Sequence, residues 1–221
     1  MKEHTRANLD KQWPQSTELL SPHLRLYQIH SATQASGVLD NAEVIEGLAR
    51  LKKENGVRIG LTLSGAEQGE TLRLALAVRA PGAGGERLFD CVQATWNVME
   101  QSAGAALLEA RQAGLEVIVK EALANGRLTR RNDAPAAAAT LAALADVGRT
   151  CGGGEVYGVD AVALAVAMAG GCTGRIRLTH SSTCFQPLNL YTRRFQPVTS
   201  NPSLKGLLTE ILRTSRFQAQ F

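Results

Sequence analysis

The stretch AEVIEGLARLKKENGVRIGLTLSG, residues 42–65, places a helix directly before a strand. In its first half, apolar side chains recur at helical spacing, and Gly56 follows as a helix-ending glycine. Its second half, VRIGLTLSG at 57–65, is a short apolar run that predicts a buried strand. A helix that leads into a strand is the building unit of a parallel sheet with helices packed on its faces.

The same alternation continues on both sides of this stretch. It predicts further strands at 24–32, 88–97, 115–124 and 175–180, and helices at 6–20, where Pro14 interrupts, 69–80, 103–114, 134–148, 159–170 and 203–215. The fold class predicted from the residues is therefore α/β, with about five parallel strands and flanking helices. The pattern fits an open sheet and a closed barrel equally well.

Polar residues end four consecutive predicted strands. His30, Ser64, Gln93 and Lys120 each lie at or near such an end. A single histidine at the end of an apolar strand is more often structural than catalytic. Because the carboxyl ends of parallel strands meet at one rim, however, the four together predict a binding or catalytic site there.

Composition limits the classes of function. Of 221 residues, 44% are hydrophobic and 20% are charged, which provides for a core and argues against wholesale disorder. The net charge is +4, and residues 172–221 carry seven basic residues and one acidic residue. Such a tail can hold phosphates, nucleic acid or an acidic membrane face. Its few scattered aromatic residues give bases little to stack on, so we expect a solvated end, no nucleic-acid partner and no membrane partner.

Cysteine and N-terminal signals indicate a cytoplasmic protein. Cys91, Cys151, Cys172 and Cys184 form no CxxC pair and have no histidines at zinc-ligand spacing. They are expected to be reduced thiols, and no metal site is predicted. The N-terminal MKEHTRANLDKQW is too polar for a signal peptide, and no apolar run is long enough to cross a bilayer.

Four motifs in order resemble the aldo/keto reductases. They are YQIHSA at 27–32, GLTLSG at 60–65, VQATWN at 92–97 and IVKEALANGRLT at 118–129. The resemblance spans about residues 16–129, and residues 172–221 diverge from it. It implies one domain over 1–221, built as a partial (β/α)8 TIM-type barrel, with NADP(H) as cofactor and a small-molecule carbonyl as substrate.

The resemblance also implies roles for individual residues. His30 matches the active-site histidine that binds the substrate carbonyl or assists proton transfer, and Ser64 and Gln93 match contacts to the nicotinamide carboxamide. Asn189 matches an adenine contact. The loop over the pyrophosphate is matched by Leu123, Asn125, Gly126 and Leu128.

Two departures from the family bear on activity. Lys120 stands where an aromatic residue usually stacks on the nicotinamide, and the strands that carry the family's Asp, Tyr and Lys have no counterpart before His30. Tyr27 cannot substitute, because residues three apart on a strand point to opposite faces. We therefore expect a truncated reductase by descent that is weak or inactive. The alternative is a non-catalytic partial barrel that acts as a nucleotide-binding or interaction module and oligomerises through open sheet edges.

Overall fold

A computed structural model of the chain describes residues 3–150, 158–159, 162–163 and 176–179. Helices and strands alternate along it, as the sequence predicts. The helices are α1 (Arg6–Leu20), α2 (Ala42–Asn55), α3 (Gln68–Ala77), α4 (Gly104–Gln112) and α5 (Ala138–Thr150). The strands are β1 (Leu26–Ala32), β2 (Arg58–Leu63), β3 (Cys91–Thr95), β4 (Glu116–Lys120) and β5 (Ile176–Thr179).

The stretch 42–65 forms its helix and strand for reasons that are visible in the sequence. The Asn41 side chain caps α2 by accepting a hydrogen bond from the Val44 N–H at 3.2 Å. Gly56 ends the helix in the left-handed region, with φ of 63°, and its N–H donates to the Lys52 carbonyl. The apolar positions of α2 are buried as predicted, and so are those of β2.

The strands form one sheet in the order β1-β2-β3-β4-β5. Both β1 with β2 and β2 with β3 pair in parallel, and the helices between them pack against the sheet. The α/β class and the parallel sheet with flanking helices are thus confirmed. The core of this sheet is made by β2, where Ile59, Leu61 and Leu63 are fully buried.

The chain divides into two compact units. The first contains Met1–Thr95 and Ser102–Ile118, and it holds β1, β2, β3 and the four helices α1 to α4. The second contains Trp96–Gln101 and the described residues from Val119 to 163. The second unit has its own apolar cluster, formed by Val98, Ala124, Leu128, Leu144, Val159, Val162 and Ala163.

Several predicted elements prove too long. The predicted strand at 88–97 is five residues, because Asp90 and Asn97 at its two ends turn their side chains to backbone groups instead of extending the ladder. The strand predicted at 115–124 ends at Lys120, since Glu121 has a φ of 58°. The predicted helix at 134–148 begins as a short 3-10 turn at Pro135–Ala137 and continues as α5.

Other predictions about elements meet the structure differently. Helix α1 runs through Pro14 without a break, although that proline was expected to interrupt it. The predicted strand at 175–180 is present as β5. The predicted helix at 203–215 lies outside the described residues, as does most of the one at 159–170.

Membrane-spanning helices and metal-binding clusters are both absent from the described residues. None of the helices there has the length and apolarity needed to cross a bilayer. No group of three or more His, Cys, Asp or Glu side chains comes together there as a metal site. Cys91 is buried and forms no disulfide within the described residues, and the other three cysteines lie outside that part of the chain.

Candidate functional site at the carboxyl ends of the strands

The end of β1 is shaped by a β-bulge. Ile29 pairs with Leu61 and Ala32 pairs with Leu63, so His30 and Ser31 together stand opposite one residue of β2. Ser31 has a φ of 56°, which a residue with a side chain rarely adopts. A bulge of this kind re-aims the side chains around it. Here the His30 side chain is exposed while Ser31 and Ala32 are buried.

The strand register brings His30, Thr62 and Gln93 into one row. Thr62 is the residue opposite the bulge, and it pairs with Gln93 on β3. Paired residues of neighbouring strands share a sheet face, and every second residue along a strand returns to it. His30 lies two residues after Gln28, which pairs with Gly60. All of these residues therefore belong to one face.

Ser64 belongs to the same rim. It lies two residues beyond Thr62, directly after β2, and its N–H donates to the Ala32 carbonyl at 3.2 Å. Ser64 and Gln93 are both half-buried. Within residues 3–150, neither the Ser64 hydroxyl nor the Gln93 amide makes a side-chain hydrogen bond. An amide carries donors and an acceptor, so Gln93 can meet a ligand that has both.

His30 is held through its main chain. Its carbonyl accepts a hydrogen bond from the His4 ring at 2.8 Å, so the residues before α1 reach the outer edge of β1. The imidazole of His30 is exposed. Position, rather than burial, is therefore what makes this ring a candidate for chemistry.

A cavity of about 330 Å³ reaches His30 from the side of α1. Its walls come from α1, β1 and α2, and include Asn8, Gln12, Gln28 and His30. Ser64 and Gln93 do not line it. The three predicted site residues thus share a rim and a sheet face, but they do not share this cavity.

Tyr27 is directed away from the row. Its ring lies edge-on against Trp13 of α1, with 5.3 Å between ring centroids and an interplanar angle of 86°. Burial raises the pKa of Tyr27, and a hydrogen bond with Ser16 opposes that rise only in part. A tyrosine that donates a proton near neutral pH needs a lowered pKa. The expectation that Tyr27 cannot act as the proton donor agrees with this geometry.

The predicted pyrophosphate loop lies in the second unit. Leu128 is fully buried in the cluster of that unit, and Leu123 packs against the same cluster. Asn125 and Gly126 form an exposed tip with φ values of 55° and 89°. Two members of the loop thus anchor it and two are presented to solvent. Their contact with a nucleotide stays a prediction.

Two other predicted site positions follow. Lys120 is half-buried at the end of β4, where the loop begins. Asn189 lies outside the described residues.

Sequence reasoning missed two residues of the rim face. Thr62 is 8% exposed and connects His30 with Gln93 in the row. The Gln28 side chain lies over Gly60, so close that a Cβ added to Gly60 would come within 3.1 Å of it. The Oε1 atom of Gln28 is buried and has no hydrogen-bond partner among the described residues. The alternation of small or polar residues with leucine in GLTLS at 60–64 is the signal that would have identified Thr62.

The parallel strands, crossover helices and polar carboxyl-end rim define the class of the TIM-type (β/α) proteins. Comparison with solved structures finds a similar fold in aldo-keto reductases. The holo form of one from Bacillus halodurans matches with a TM-score of 0.57 and 19% identity over 81% of this chain. Its apo form matches with a TM-score of 0.61 and 16% identity over 97% of this chain.

At such identities the likeness shows the fold, and the predicted resemblance is confirmed at that level. The chain spans 59% of the length of the holo form and 71% of the apo form. No family model and no curated protein matches the sequence.

Proposed function

We propose that this chain binds NADP(H) at the carboxyl-end rim of its parallel strands and is, by descent, a reductase of small carbonyl compounds. The observation that carries the proposal is the row of His30, Thr62 and Gln93 on one sheet face, with Ser64 next to it. In barrels of this type, chemistry occurs at the carboxyl ends of the strands. The full activity of an aldo-keto reductase remains a proposal, because the chain spans only part of those proteins.

The residues at the rim fit a nicotinamide carboxamide. The Gln93 side-chain amide can donate a hydrogen bond to the carboxamide oxygen of the nicotinamide and accept one from the carboxamide nitrogen, and the Ser64 hydroxyl can do either. Neither side chain is engaged within residues 3–150. A bound reduced nicotinamide would supply the hydride for carbonyl reduction.

His30 would orient the carbonyl. Its exposed imidazole can donate a hydrogen bond to the oxygen on which negative charge develops during reduction. A well-placed proton donor contributes about 10²–10⁴-fold to such a reaction. With Tyr27 against Trp13, this contribution falls to His30 alone among the residues of the row, so we expect slow turnover.

A reducing compartment suits this activity. NADP(H)-dependent reduction and the reduced thiol of buried Cys91 both fit the cytoplasm, where thiols remain reduced. We therefore place the protein there.

A second candidate function follows from the edge of β1. The Arg58 N–H donates to the Arg25 carbonyl. Along a strand of a parallel pair, alternate residues direct their N–H and C=O groups to the partner strand, so those of Leu26 and Gln28 point away from β2. Among the described residues, β2 is the only strand that pairs with β1. An open edge can take a strand from another chain, so the alternative is an oligomeric, non-catalytic module that binds nucleotide or a partner.

Titration of the purified chain with NADPH tests the main proposal. Fluorescence of the bound nucleotide measures affinity, and NADPH consumption with a panel of aldehydes measures turnover. His30→Ala should leave affinity within about twofold and lower turnover by about 10²-fold, the contribution of one proton-donating group. His23→Ala, which removes another exposed histidine, should change neither. No fluorescence change and no turnover with the unaltered chain would refute the proposal.

Gel filtration and hydrogen exchange separate the two candidates. If the chain is an oligomeric module, its apparent mass should grow with concentration, and the backbone N–H of Gln28 should be protected from exchange in the oligomer. A monomer that binds NADPH tightly and shows fast exchange at Gln28 contradicts it.

A further inference from the structure

Asn97 is a buried amide side chain, 2% exposed, in the turn that follows β3. Its Oδ1 accepts hydrogen bonds from the N–H groups of Met99 and Glu100, at 2.8 and 3.0 Å. Its Nδ2 donates to the main-chain carbonyl of Glu121 at 2.9 Å. One side chain thus closes its own turn and reaches the residue that begins the loop after β4.

Glu121 is the point at which that loop leaves the strand. Its φ of 58° lies in the left-handed region, which costs free energy for a residue with a side chain. Its carbonyl accepts both from Asn97 and from the Ala124 N–H, the latter at 2.7 Å. Such a conformation persists only where surrounding contacts hold it, and the bond from Asn97 is one of those contacts.

Apolar packing joins the same two segments. Val98, next to Asn97, is buried in one cluster with Ala124 and Leu128. Trp96 donates its main-chain N–H to the Lys120 carbonyl at 3.3 Å. The turn at 96–101 is therefore a platform, and the loop at 121–128 is built on it.

The loop presents a tip that suits an anion. Asn125 and Gly126 are exposed in left-handed conformations, and Arg127 beside them is an exposed cation whose Nε donates to the Ala124 carbonyl at 3.0 Å. A guanidinium held against its own loop has lost part of its freedom before any ligand arrives. Less conformational entropy is then lost on binding.

We propose that Asn97 is a positioning residue that fixes the loop at 121–128 in the shape that receives the phosphates of the nucleotide. This inference rests on the proposed function. Asn97 acts through the Glu121 carbonyl and touches no ligand. Loss of the bond from Nδ2 leaves the Glu121 carbonyl with the Ala124 N–H as its remaining donor, and the left-handed Glu121 and the loop that follows it are then held less firmly.

The test is a matched pair of amide-to-acid substitutions in the full chain. Asn97→Asp keeps the oxygen that accepts from Met99 and Glu100 but removes the donor to Glu121. Gln68→Glu makes the same change at another amide that is 2% exposed, which donates to the Thr95 carbonyl and accepts from its N–H, both at 3.0 Å. Gln68 lies in the first unit and contacts a different strand end.

Hydrogen exchange and NADPH titration are measured on both variants. Asn97→Asp should speed exchange at Ala124, Gly126 and Arg127 and weaken NADPH binding by about tenfold, the effect of losing one of the two hydrogen bonds to the Glu121 carbonyl. Gln68→Glu should leave exchange in that loop unchanged. Equal effects of the two variants on the loop, or faster exchange with unchanged affinity, would overturn the assignment.

Failure of the proposed function gives a different result. If the unaltered chain binds no NADPH, the proposal that the rim binds a nucleotide is refuted as a whole. The exchange comparison then still supports or overturns Asn97 as the residue that holds the loop.

Discussion

The two ends of the strands in the first unit are built differently. At the amino ends of β2, β3 and β4, charged side chains are paired with one another. At the carboxyl ends of β1, β2 and β3, polar side chains lie in a row, and Ser64 and Gln93 make no side-chain hydrogen bonds within residues 3–150. Both ends are polar, so polarity by itself does not indicate where ligands bind.

The amino-end rim satisfies its own charges. Lys52 pairs with Asp90 at 2.7 Å, and Arg58 pairs with Glu116. The second carboxylate oxygen of Asp90 accepts from the Ile59 N–H at 2.9 Å. A cavity of about 410 Å³ lies among these residues, yet Lys52, Arg58, Asp90 and Glu116 in its lining already have partners. Size alone therefore does not make it the binding site.

The difference indicates that the two ends of the strands have different roles. Groups at the amino ends are paired within the fold, while Ser64 and Gln93 at the carboxyl ends belong to the ligand site proposed above. Substitutions at the two rims should accordingly change different measurements.

The largest effect on stability is expected at Asp90. Asp90→Ala leaves the buried Ile59 N–H without an acceptor and Lys52 without its partner, so the free energy of unfolding should fall by about 2–3 kcal/mol in urea titrations. NADPH affinity of the folded variant should not change. Asp90→Asn, which keeps an oxygen for Ile59, should cost less. Equal losses in the two variants would contradict this account of the rim.

A smaller effect, on binding, is expected at Gln93. Gln93→Ala should raise the dissociation constant for NADPH about tenfold, which corresponds to about 1.4 kcal/mol, because the carboxamide loses two hydrogen bonds. The free energy of unfolding should change little, since the side chain is only half-buried. Gln112→Ala removes an exposed glutamine of α4 as the control. Unchanged affinity in Gln93→Ala would place the ligand elsewhere.

The smallest effect concerns the helix layer, which belongs to neither rim. The Arg73 guanidinium lowers the pKa of the Glu109 carboxyl from its ordinary value of 4.5 by a side-chain hydrogen bond between α3 and α4. A carboxyl whose pKa is lower in the folded state stabilises the fold at pH values above its unfolded-state pKa. This contribution is lost as the pH falls through the lowered pKa.

Acid titration of stability measures that contribution. Arg73→Gln should lose less stability than the unaltered chain as the pH falls below 4.5, and salt should reduce the difference because both groups are exposed. Identical acid profiles in the two proteins would show that the ion pair does not contribute.

Much of the fold follows from local sequence. Helix α2 has the predicted bounds because its cap, its apolar spacing and its terminal glycine all lie within one stretch. The strand ends were harder to predict, because a strand ends where its partner strand ends or where a side chain, instead of the partner strand, forms the hydrogen bond with a backbone group. Asn97 does this at β3, and Glu121 turns the chain at β4.

The sequence by itself determined the order of helices and strands, the parallel sheet and the rim at which His30, Ser64 and Gln93 gather, because periodicity and chain order are local properties. Only the tertiary structure decided that a bulge separates the exposed His30 from the buried Ser31, that Thr62 completes the row, and that Asn97 reaches Glu121. These features depend on register and on contacts between residues far apart in sequence. Such contacts form only when the strands are laid side by side.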